Sequence, residues 1–350
     1  MANSSMSQSN ITLPFEQIYA DQLRSYLLYV IIGVIAIVIN IIIVIVFSSS
    51  SNLRVKYQLL IALAIGDLIN GIAFVVAGLT KQHLILSMTV STVTMWPVWS
   101  CATEWYPGLL ILGAQWPACI TLFLGLERFA AVHYPVWYKV KMNAKLRFKM
   151  VVISVVFSLV SLGVAFAQTY IFFGKNLTFI LCTISGAYQK YYTTWNYIVT
   201  VFGHLIAFGL NASAFLTAKS KSRLIKSGLS AVMRKEITLV RLMLSVSFIS
   251  ALLVSIPNII LWGQSWVWIV SNSALGYLYV SFCASSVINI IIYIFFNKDF
   301  CAQLFRFIPI GPSSKPAVAT VDPITFHNTA MSTNTQANAL HRNSSIVSHS

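Results

Sequence analysis

Charged side chains are scarce in this sequence, and acidic ones are the scarcest. Only 8 of the 350 residues are Asp or Glu, charged residues make up 9% and apolar residues make up 57%. A soluble globular domain carries more charge and less apolar surface, so this composition excludes one. The sequence also lacks a glycine-rich phosphate loop, a cluster of metal-ligand residues, a Ser-His-Asp arrangement and an internal repeat. We therefore predict that the chain is not an enzyme and needs no catalytic cofactor.

What the sequence does contain is seven long apolar runs. A helix needs roughly 20 apolar residues to cross a bilayer, and a helix satisfies its own backbone hydrogen bonds in lipid. The sequence therefore predicts an all-α membrane protein, a single bundle of seven transmembrane helices. The predicted spans cover residues 26–47, 57–79, 105–131, 150–173, 192–218, 237–262 and 268–296. Because residues 1–25 are polar and carry no signal-peptide core, we expect the first span to act as a signal anchor.

The 23 Lys and Arg residues are distributed unevenly between the loops. With the N-terminus outside, only Arg24, Lys81, Lys175 and Lys190 lie on the outer side, which leaves 19 on the cytoplasmic side. This asymmetry follows the positive-inside rule and predicts a plasma-membrane protein with an extracellular N-terminus and a cytoplasmic C-terminus. The basic loops would face anionic lipid, and the sequence has no basic–aromatic module for nucleic acid. We predict membrane lipid as a partner and exclude nucleic acid.

Three glycosylation sequons and two cysteines lie on the predicted outer side. The sequons begin at Asn3, Asn10 and Asn176, while Cys101 opens the third span and Cys182 lies between the fourth and fifth. Oxidation is favoured outside the cell, so a disulfide between the cysteines would tether that loop over the mouth of the bundle. The alternative is two free thiols.

An acid and an arginine stand together at the cytoplasmic end of the third span, in the tripeptide Glu127-Arg128-Phe129. Charge beside a membrane span is expensive and is usually kept for function. The two charges can neutralise each other at rest and separate when a partner offers the arginine a better site. The alternative interpretation is a pair of helix-end charges in the headgroup layer.

A bundle of seven spans with this tripeptide after the third resembles the rhodopsin-like G-protein-coupled receptors. Residues 135–139 (Pro-Val-Trp-Tyr-Lys) and 52–57 (Asn-Leu-Arg-Val-Lys-Tyr) are similar to loops of the nematode serpentine chemoreceptor family Srsx. The resemblance implies a chemosensory receptor that binds an extracellular small molecule or short peptide and activates a heterotrimeric G protein. It also implies that Arg128 pairs with Glu127 at rest and turns toward the G protein when active. Glu236 would be a second resting partner of the arginine.

Prolines inside two spans predict kinks, because proline removes a backbone hydrogen bond. Pro117 lies within the third span, and Pro257 within the sixth would give a pivot for outward movement of its cytoplasmic half. The sequence departs from the receptor pattern at Ser255, where tryptophan is usual, and at Ile290, where proline is usual. We therefore expect the seventh span to bend less than in the receptors that the chain resembles.

Asp67 lies deep in the second span, where a lone carboxylate is costly unless it has partners. Asn40 in the first span, Asn289 in the seventh and a sodium ion with water are the partners that we expect. The alternative is a protonated Asp67 hydrogen-bonded across the bundle. Tyr293 follows Asn289 at the position that the resemblance assigns to the activation switch.

Residues 297–307 place aromatic and apolar side chains on one face, which predicts a short amphipathic eighth helix in the membrane interface. Cys301 on this segment is a candidate for palmitoylation. The receptor domain would then span 26–308, after an extracellular segment 1–25. The Ser- and Thr-rich tail 309–350 is predicted to be disordered. Its phosphorylation would recruit an arrestin-type partner; the alternative is a merely solvated tail.

A ligand would enter from outside between spans three, five, six and seven, since pockets favour aromatic walls with a few polar groups. The candidate pocket residues are Glu104, Gln115, Trp116, Trp195, Trp262 and Tyr277. Some of these aromatic side chains would instead anchor the spans in the headgroup layer. By the same resemblance, the absence of an aspartate two turns into span three and of a lysine in span seven excludes amine and retinal receptors. A neuropeptide receptor is the alternative function, and a secondary transporter is a less favoured one because the sequence shows no repeat.

Overall fold

The computed structural model describes residues 15–87, 95–224, 231–270 and 272–307. These residues include seven helices that are long and apolar enough to cross a membrane. The first span has a mean hydropathy of 3.5, yet only 33% of its most apolar window is buried. An apolar helix that leaves most of its surface exposed requires lipid around it. The chain is therefore an all-α, multi-pass membrane protein. Its candidate spans are Ala20–Ser48, Gln58–Ser87, Trp105–His133, Ala144–Phe173, Ile184–Ser222, Ile237–Trp266 and Ala274–Phe296.

Short helices and one small sheet connect the long helices. In chain order the α-helices are α1 (Phe15–Ser48), α2 (Ser51–Lys56), α3 (Gln58–Ser87), α4 (Val98–Ala102), α5 (Trp105–His133), α6 (Pro135–Lys141), α7 (Ala144–Gln168), α8 (Ile184–Leu224), α9 (Ala231–Ser250), α10 (Ile256–Trp266), α11 (Asn272–Phe296) and α12 (Lys298–Phe307). The strands β1 (Met95–Pro97) and β2 (Leu177–Phe179) pair antiparallel, with Met95 opposite Phe179. Two π-helical segments, Thr169–Phe173 and Ala251–Ser255, follow α7 and α9.

Several helices begin or end beyond the predicted spans. The first begins at Phe15 rather than at residue 26, and the fifth begins at Ile184 rather than at 192, whereas the seventh begins later, at Asn272 rather than at 268. Hydropathy marks only the part of a helix that suits lipid, while backbone hydrogen bonding propagates into polar sequence. The first helix therefore includes part of the segment assigned to a separate extracellular region. Within α8, Gln189 has a φ of 63°, which sets the first turn apart from the rest.

Two glycines allow α3 and α5 to approach closely. A β-carbon added to Gly113 would lie 2.7 Å from Asn70 Cα, and one added to Gly66 would lie 2.9 Å from Pro117 Cγ. Helices in lipid pack through small residues because the hydrophobic effect does not drive them together. Gly66 makes room for the proline ring, and α5 continues through Pro117 as one helix.

The sixth span is irregular at the place where the sequence predicts a kink. Pro257 is the second residue of α10, and α10 follows the π-helical segment Ala251–Ser255 directly. Proline has no N–H to donate to the carbonyl four residues before it, which here is that of Leu253. The hydroxyl of Ser281 in α11 lies 2.9 Å from that carbonyl oxygen and shares its one hydrogen between it and the carbonyl of Leu278, 2.6 Å away in its own helix. The sixth and seventh spans are thus joined at the carbonyl that the proline leaves free.

Candidate functional site

Glu127 and Arg128 are buried together at one end of the bundle, which is termed here the arginine end. Arg128 Nη2 lies 2.8 Å from Glu127 Oε1, and the two side chains are 9% and 3% exposed. Arg147 of α7 contacts the same carboxylate oxygen at 2.9 Å, and the hydroxyl of Tyr138 in α6 donates to it at 3.0 Å. One carboxylate therefore holds the buried Arg128 and the partly buried Arg147. These four side chains are termed the arginine cluster.

Tyr138 links the loop after α5 to the arginine cluster. Its oxygen accepts a hydrogen bond from Arg147 Nη2 at 3.1 Å while its hydroxyl donates to Glu127. Burial raises the pKa of Tyr138, and the neighbouring carboxylate adds to that effect. The phenol consequently stays protonated and keeps its role as a donor. α6 begins at Pro135, whose fixed φ suits the first turn of a helix.

A cavity of about 170 Å³ adjoins the arginine cluster. Its wall from α9 is apolar, and its wall from α2 and α3 is partly basic. Lining residues besides the cluster include Lys56, Tyr57, Leu59, Leu60, Leu124, Leu239 and Met243. The side chain of Glu236 lies outside the described residues, so its pairing with the arginine stays a prediction.

The end of α5 is also fastened to α8. Phe129 stacks on His133 with ring centres 4.1 Å apart. The imidazole of His133 lies within hydrogen-bond distance of Thr217 Oγ1 at 3.3 Å, and Lys221 donates to the carbonyl of Val132 at 3.0 Å. Phe129 thus supports the helix end that carries the arginine rather than contacting the arginine cluster itself.

The first short helix contacts α12 near the same end. Lys56 Nζ lies 2.6 Å from Asp299 Oδ2, and Tyr57 donates to the same oxygen at 3.0 Å. Burial, followed by the charge of Asp299, raises the pKa of Tyr57. Cys301 is half-buried, donates to the carbonyl of Ile294 at 2.8 Å, and has a pKa raised by burial. Its palmitoylation stays a prediction.

Asp67 is buried in the middle of the bundle and receives two hydrogen bonds from α11. Ser286 Oγ donates to Oδ1 at 2.9 Å, and Asn289 Nδ2 donates to Oδ2 at 3.0 Å. Asn289 is therefore the partner that the sequence predicted. Asn40 is not: its amide donates to the carbonyl of Ala36, four residues earlier in α1, at 2.9 Å. The Asn40 amide nitrogen thus bonds within its own helix rather than to Asp67, which corrects the predicted three-helix network.

A small polar cavity of about 40 Å³ lies beside Asp67. Its lining combines apolar side chains with the polar residues Asp67, Asn70, Asn196, His204, Asn258 and Asn289. A volume of this size holds a few water molecules, or one ion with water. Carboxylate and amide oxygens are ligands that suit a hard cation, so the residues present fit the sodium ion that the sequence predicted.

Tyr293 lies one turn beyond Asn289 in α11. Its ring is buried and packs against Phe47 and Phe300, with ring centres 5.6 Å and 5.8 Å away. These contacts tie the seventh span to α1 and to α12. Movement of the seventh span would therefore have to break aromatic packing at the arginine end.

The loop between α7 and α8 lies across the other end of the bundle, termed the disulfide end. Cys101 and Cys182 form the predicted disulfide, with their Cα atoms 5.2 Å apart. The hydroxyl of Tyr106 donates to the carbonyl of Leu181 at 2.8 Å, which holds the loop a second time. Of the three sequons, Asn176 is exposed on this loop, and those at positions 3 and 10 lie outside the described residues.

A cavity of about 500 Å³ opens at the disulfide end, and it is termed the outer cavity. Tyr26, Tyr29 and Lys81 contribute to its wall from α1 and α3. Tyr197 and Tyr279 line both this cavity and the small polar cavity near Asp67. Their hydroxyls lie 3.2 Å apart, so a hydrogen bond between α8 and α11 separates the two spaces.

None of the six predicted pocket residues lines either of these cavities, as far as the described residues define them. Gln115 is buried and donates to Asn196 at 3.0 Å, so it joins α5 to α8. Trp195, Trp262 and Tyr277 are 45%, 41% and 52% exposed on the outer surface of the bundle. Aromatic side chains near a span end are favoured in the headgroup layer, and nothing in hydropathy distinguishes the outward face from the inward one. Glu104 and Trp116 lie at the start and in the middle of α5.

Several residues of these sites were missed from the sequence. Ser286 precedes Asn289 by three positions, which places both on one face of a helix and was a usable signal. Lys81 was detectable as the single Lys or Arg in α3. Arg147 and Tyr138 gave no such signal, because they stand among other basic and aromatic residues of a loop.

Comparison with known proteins gives no family assignment. No protein-family model matches the chain, and no curated protein matches its sequence.

Proposed function

We propose that this chain is a rhodopsin-like G-protein-coupled receptor, resembling the nematode serpentine chemoreceptors of the Srsx family. The observation that carries the proposal is the buried carboxylate of Glu127, which holds Arg128 and Arg147 at one end of a seven-helix membrane bundle. Buried charge costs stability and is usually kept for function. The outer cavity at the opposite end supports a ligand site.

In this proposal the arginine end is cytoplasmic, the disulfide end is extracellular, and the protein lies in the plasma membrane. The excess of Lys and Arg in the loops at the arginine end supports this orientation, and so does a disulfide at the other end. The helix α12 lies along the inner membrane interface as an amphipathic eighth helix. Phe300 is buried, while Phe305 and Phe307 are 60% and 51% exposed and available to lipid.

Activation would open the cavity beside the arginine cluster. Leu239 and Met243 of α9 line that cavity. An extracellular small molecule or short peptide would favour a state in which α9 has moved outward, with its pivot in Ala251–Ser255 before Pro257. Arg128 would then leave Glu127 and face the G protein. Arrestin-type partners would bind the phosphorylated tail.

The test is nucleotide exchange on a panel of Gα subunits, with wild type and Arg128→Ala at matched surface levels. Glu127→Gln, which is expected to activate the receptor without a ligand, is measured as a separate variant. Arg24→Ala is the control, because Arg24 is 74% exposed and far from the arginine cluster. The proposal predicts exchange that Arg128→Ala abolishes and Arg24→Ala preserves. Exchange that survives in Arg128→Ala, or that is absent in every variant including Glu127→Gln, contradicts the proposal.

A further inference from the structure

Lys81 is a buried cation in the wall of the outer cavity. The residue is 7% exposed, and its Nζ lies 5.4 Å from the ring centres of both Tyr26 and Tyr106. The ion pairs found among the described residues all involve other cations. The surroundings of the Lys81 amine in this part of the chain are therefore aromatic rather than acidic.

Such a position is unfavourable for a lysine. A charge taken out of water loses its hydration, and a cation–π contact compensates for only part of that loss. Methionine or leucine would fill the same space without that cost. A lysine kept here, beside a cavity, indicates that the charge meets something that enters the cavity.

The outer cavity has the charge and the size to receive an anion. Lys190 is a second lysine in its wall, with Nζ 3.6 Å from the ring centre of Trp266, and no acidic residue lines the cavity within the described ranges. Its volume of about 500 Å³ suits a small organic molecule. Tyrosine side chains supply both flat apolar surface and hydroxyl groups that can donate to a carboxylate.

We propose that the outer cavity binds an organic carboxylate, with the carboxylate on Lys81 and the apolar part of the ligand against the tyrosines. The assignment rests on the proposed receptor function, and it specifies the chemical class of the ligand. A carboxylate paired with Lys81 would lie in the same space as Tyr197 and Tyr279, the two residues that separate the outer cavity from the one near Asp67. Glu104, the acid among the predicted pocket residues, does not line the outer cavity and would not repel a carboxylate there.

Direct binding to the purified full-length protein tests this assignment without any G protein. The probes are 3-phenylpropionate and hexanoate, each compared with its primary amide and with the amine of the same skeleton. Each compound is titrated to about 10 mM, so that binding with a dissociation constant in the millimolar range is detected. The readout is the ligand-induced rise in the thermal unfolding temperature. We expect the carboxylates to raise it and the amides and amines to leave it unchanged. Loss of the charge-assisted bond in Lys81→Met should weaken carboxylate binding at least about tenfold.

Two variants separate a lost ligand contact from a damaged fold. Lys81→Arg should keep most of the carboxylate response, and Lys175→Met, at an exposed lysine outside the cavity, should respond like wild type. Lys81→Met without ligand should unfold at the same temperature as wild type or higher, because a buried charge has been removed. No stabilisation by either carboxylate overturns the inference, as does equal binding of the amides or an unchanged response in Lys81→Met. Carboxylate binding without nucleotide exchange in any variant would support the carboxylate site and refute the proposed receptor function. Exchange by Glu127→Gln without carboxylate binding would support the receptor function and refute the carboxylate site.

Discussion

Replacing Glu127 by glutamine removes the charge that holds the proposed resting state together and little else. Glutamine has nearly the same shape and keeps an oxygen that can accept from Arg128, Arg147 or Tyr138. Its amide nitrogen, however, would stand beside two guanidinium groups in a site where the acid side chain is 3% exposed. The substitution should therefore weaken the resting state selectively, provided that Arg128 leaves this site when the receptor is active.

The size of the effect follows from the pair that breaks on activation. A glutamine oxygen keeps a hydrogen bond to the Arg128 guanidinium but loses the opposite charge that the carboxylate supplies at 2.8 Å. Because hydrogen bonds to charged groups span about 1.5–3 kcal/mol, we expect this contact to lose about 1–1.5 kcal/mol. A change of 1.4 kcal/mol is tenfold in an equilibrium constant. If the active state is about 1% populated at rest, glutamine raises it to roughly 10%. Basal nucleotide exchange should rise five- to tenfold.

The assay is basal exchange on the responsive Gα subunit, normalised to receptor at the surface. Glu104→Gln makes the same chemical change at the disulfide end and should leave basal exchange unchanged. Tyr138→Phe removes one donor and keeps both arginines on Glu127, so it should raise exchange less than Glu127→Gln does. Basal exchange in Glu127→Gln equal to that of wild type, at matched surface levels, would refute the reasoning about the arginine cluster.

Three further predictions concern the stability of the bundle, measured as the thermal unfolding temperature of the purified protein. The Cys101–Cys182 disulfide closes a separation of 81 residues and should stabilise the fold by about 4 kcal/mol, so mild reductant should lower the unfolding temperature of wild type but not that of the double serine variant. Gly113→Val should destabilise the fold by about 1–3 kcal/mol, because even its β-carbon would lie 2.7 Å from the backbone of α3. Gly163→Val is the control and should be tolerated, since a β-carbon there meets nothing within 4 Å. Equal effects of the two substitutions would show that close packing at Gly113 is unimportant. Sodium chloride should stabilise wild type more than choline chloride does, and Asp67→Asn should abolish that difference; a sodium effect that survives in Asp67→Asn would exclude the carboxylate as its site.

The helices were predictable because lipid imposes one requirement on every span. Each apolar run had to satisfy its own backbone hydrogen bonds, so its length and hydropathy identified it as a helix. The ends were less predictable, as the start of α1 at Phe15 shows, since a helix continues into water for as long as its turns are supported. The irregularity before Pro257 was predictable in position, but the hydroxyl of Ser281 that takes over the free carbonyl of Leu253 was not.

The candidate site was predictable where a residue type is costly in lipid. It was unpredictable where a residue's role depends on the direction in which its side chain points from the helix. Asp67 was identified by its charge, and Asn289 by its polarity within an apolar span. Asn40 satisfied the same criterion yet turned back to its own helix, because an asparagine can bond the carbonyl four residues earlier at no cost to packing. The prediction that Trp195 and Trp262 line the pocket was wrong for a related reason. The sequence indicates how deep an aromatic side chain lies in the membrane, but whether it points into or out of the bundle depends on how the helices rotate against one another.

The position of the Tyr197–Tyr279 pair gives the proposed ligand site a physical route to the centre of the bundle. The pair joins α8 to α11 at 3.2 Å and forms part of the wall of both cavities. From Tyr279, α11 continues through Ser281, which bonds the sixth span beside its proline, and Ser286, which bonds Asp67. A carboxylate that competes for either tyrosine hydroxyl would therefore act on a helix that contacts both the pivot of span six and the buried acid of span two. Coupling needs an element that both sites bias, and α11 has the contacts to be that element.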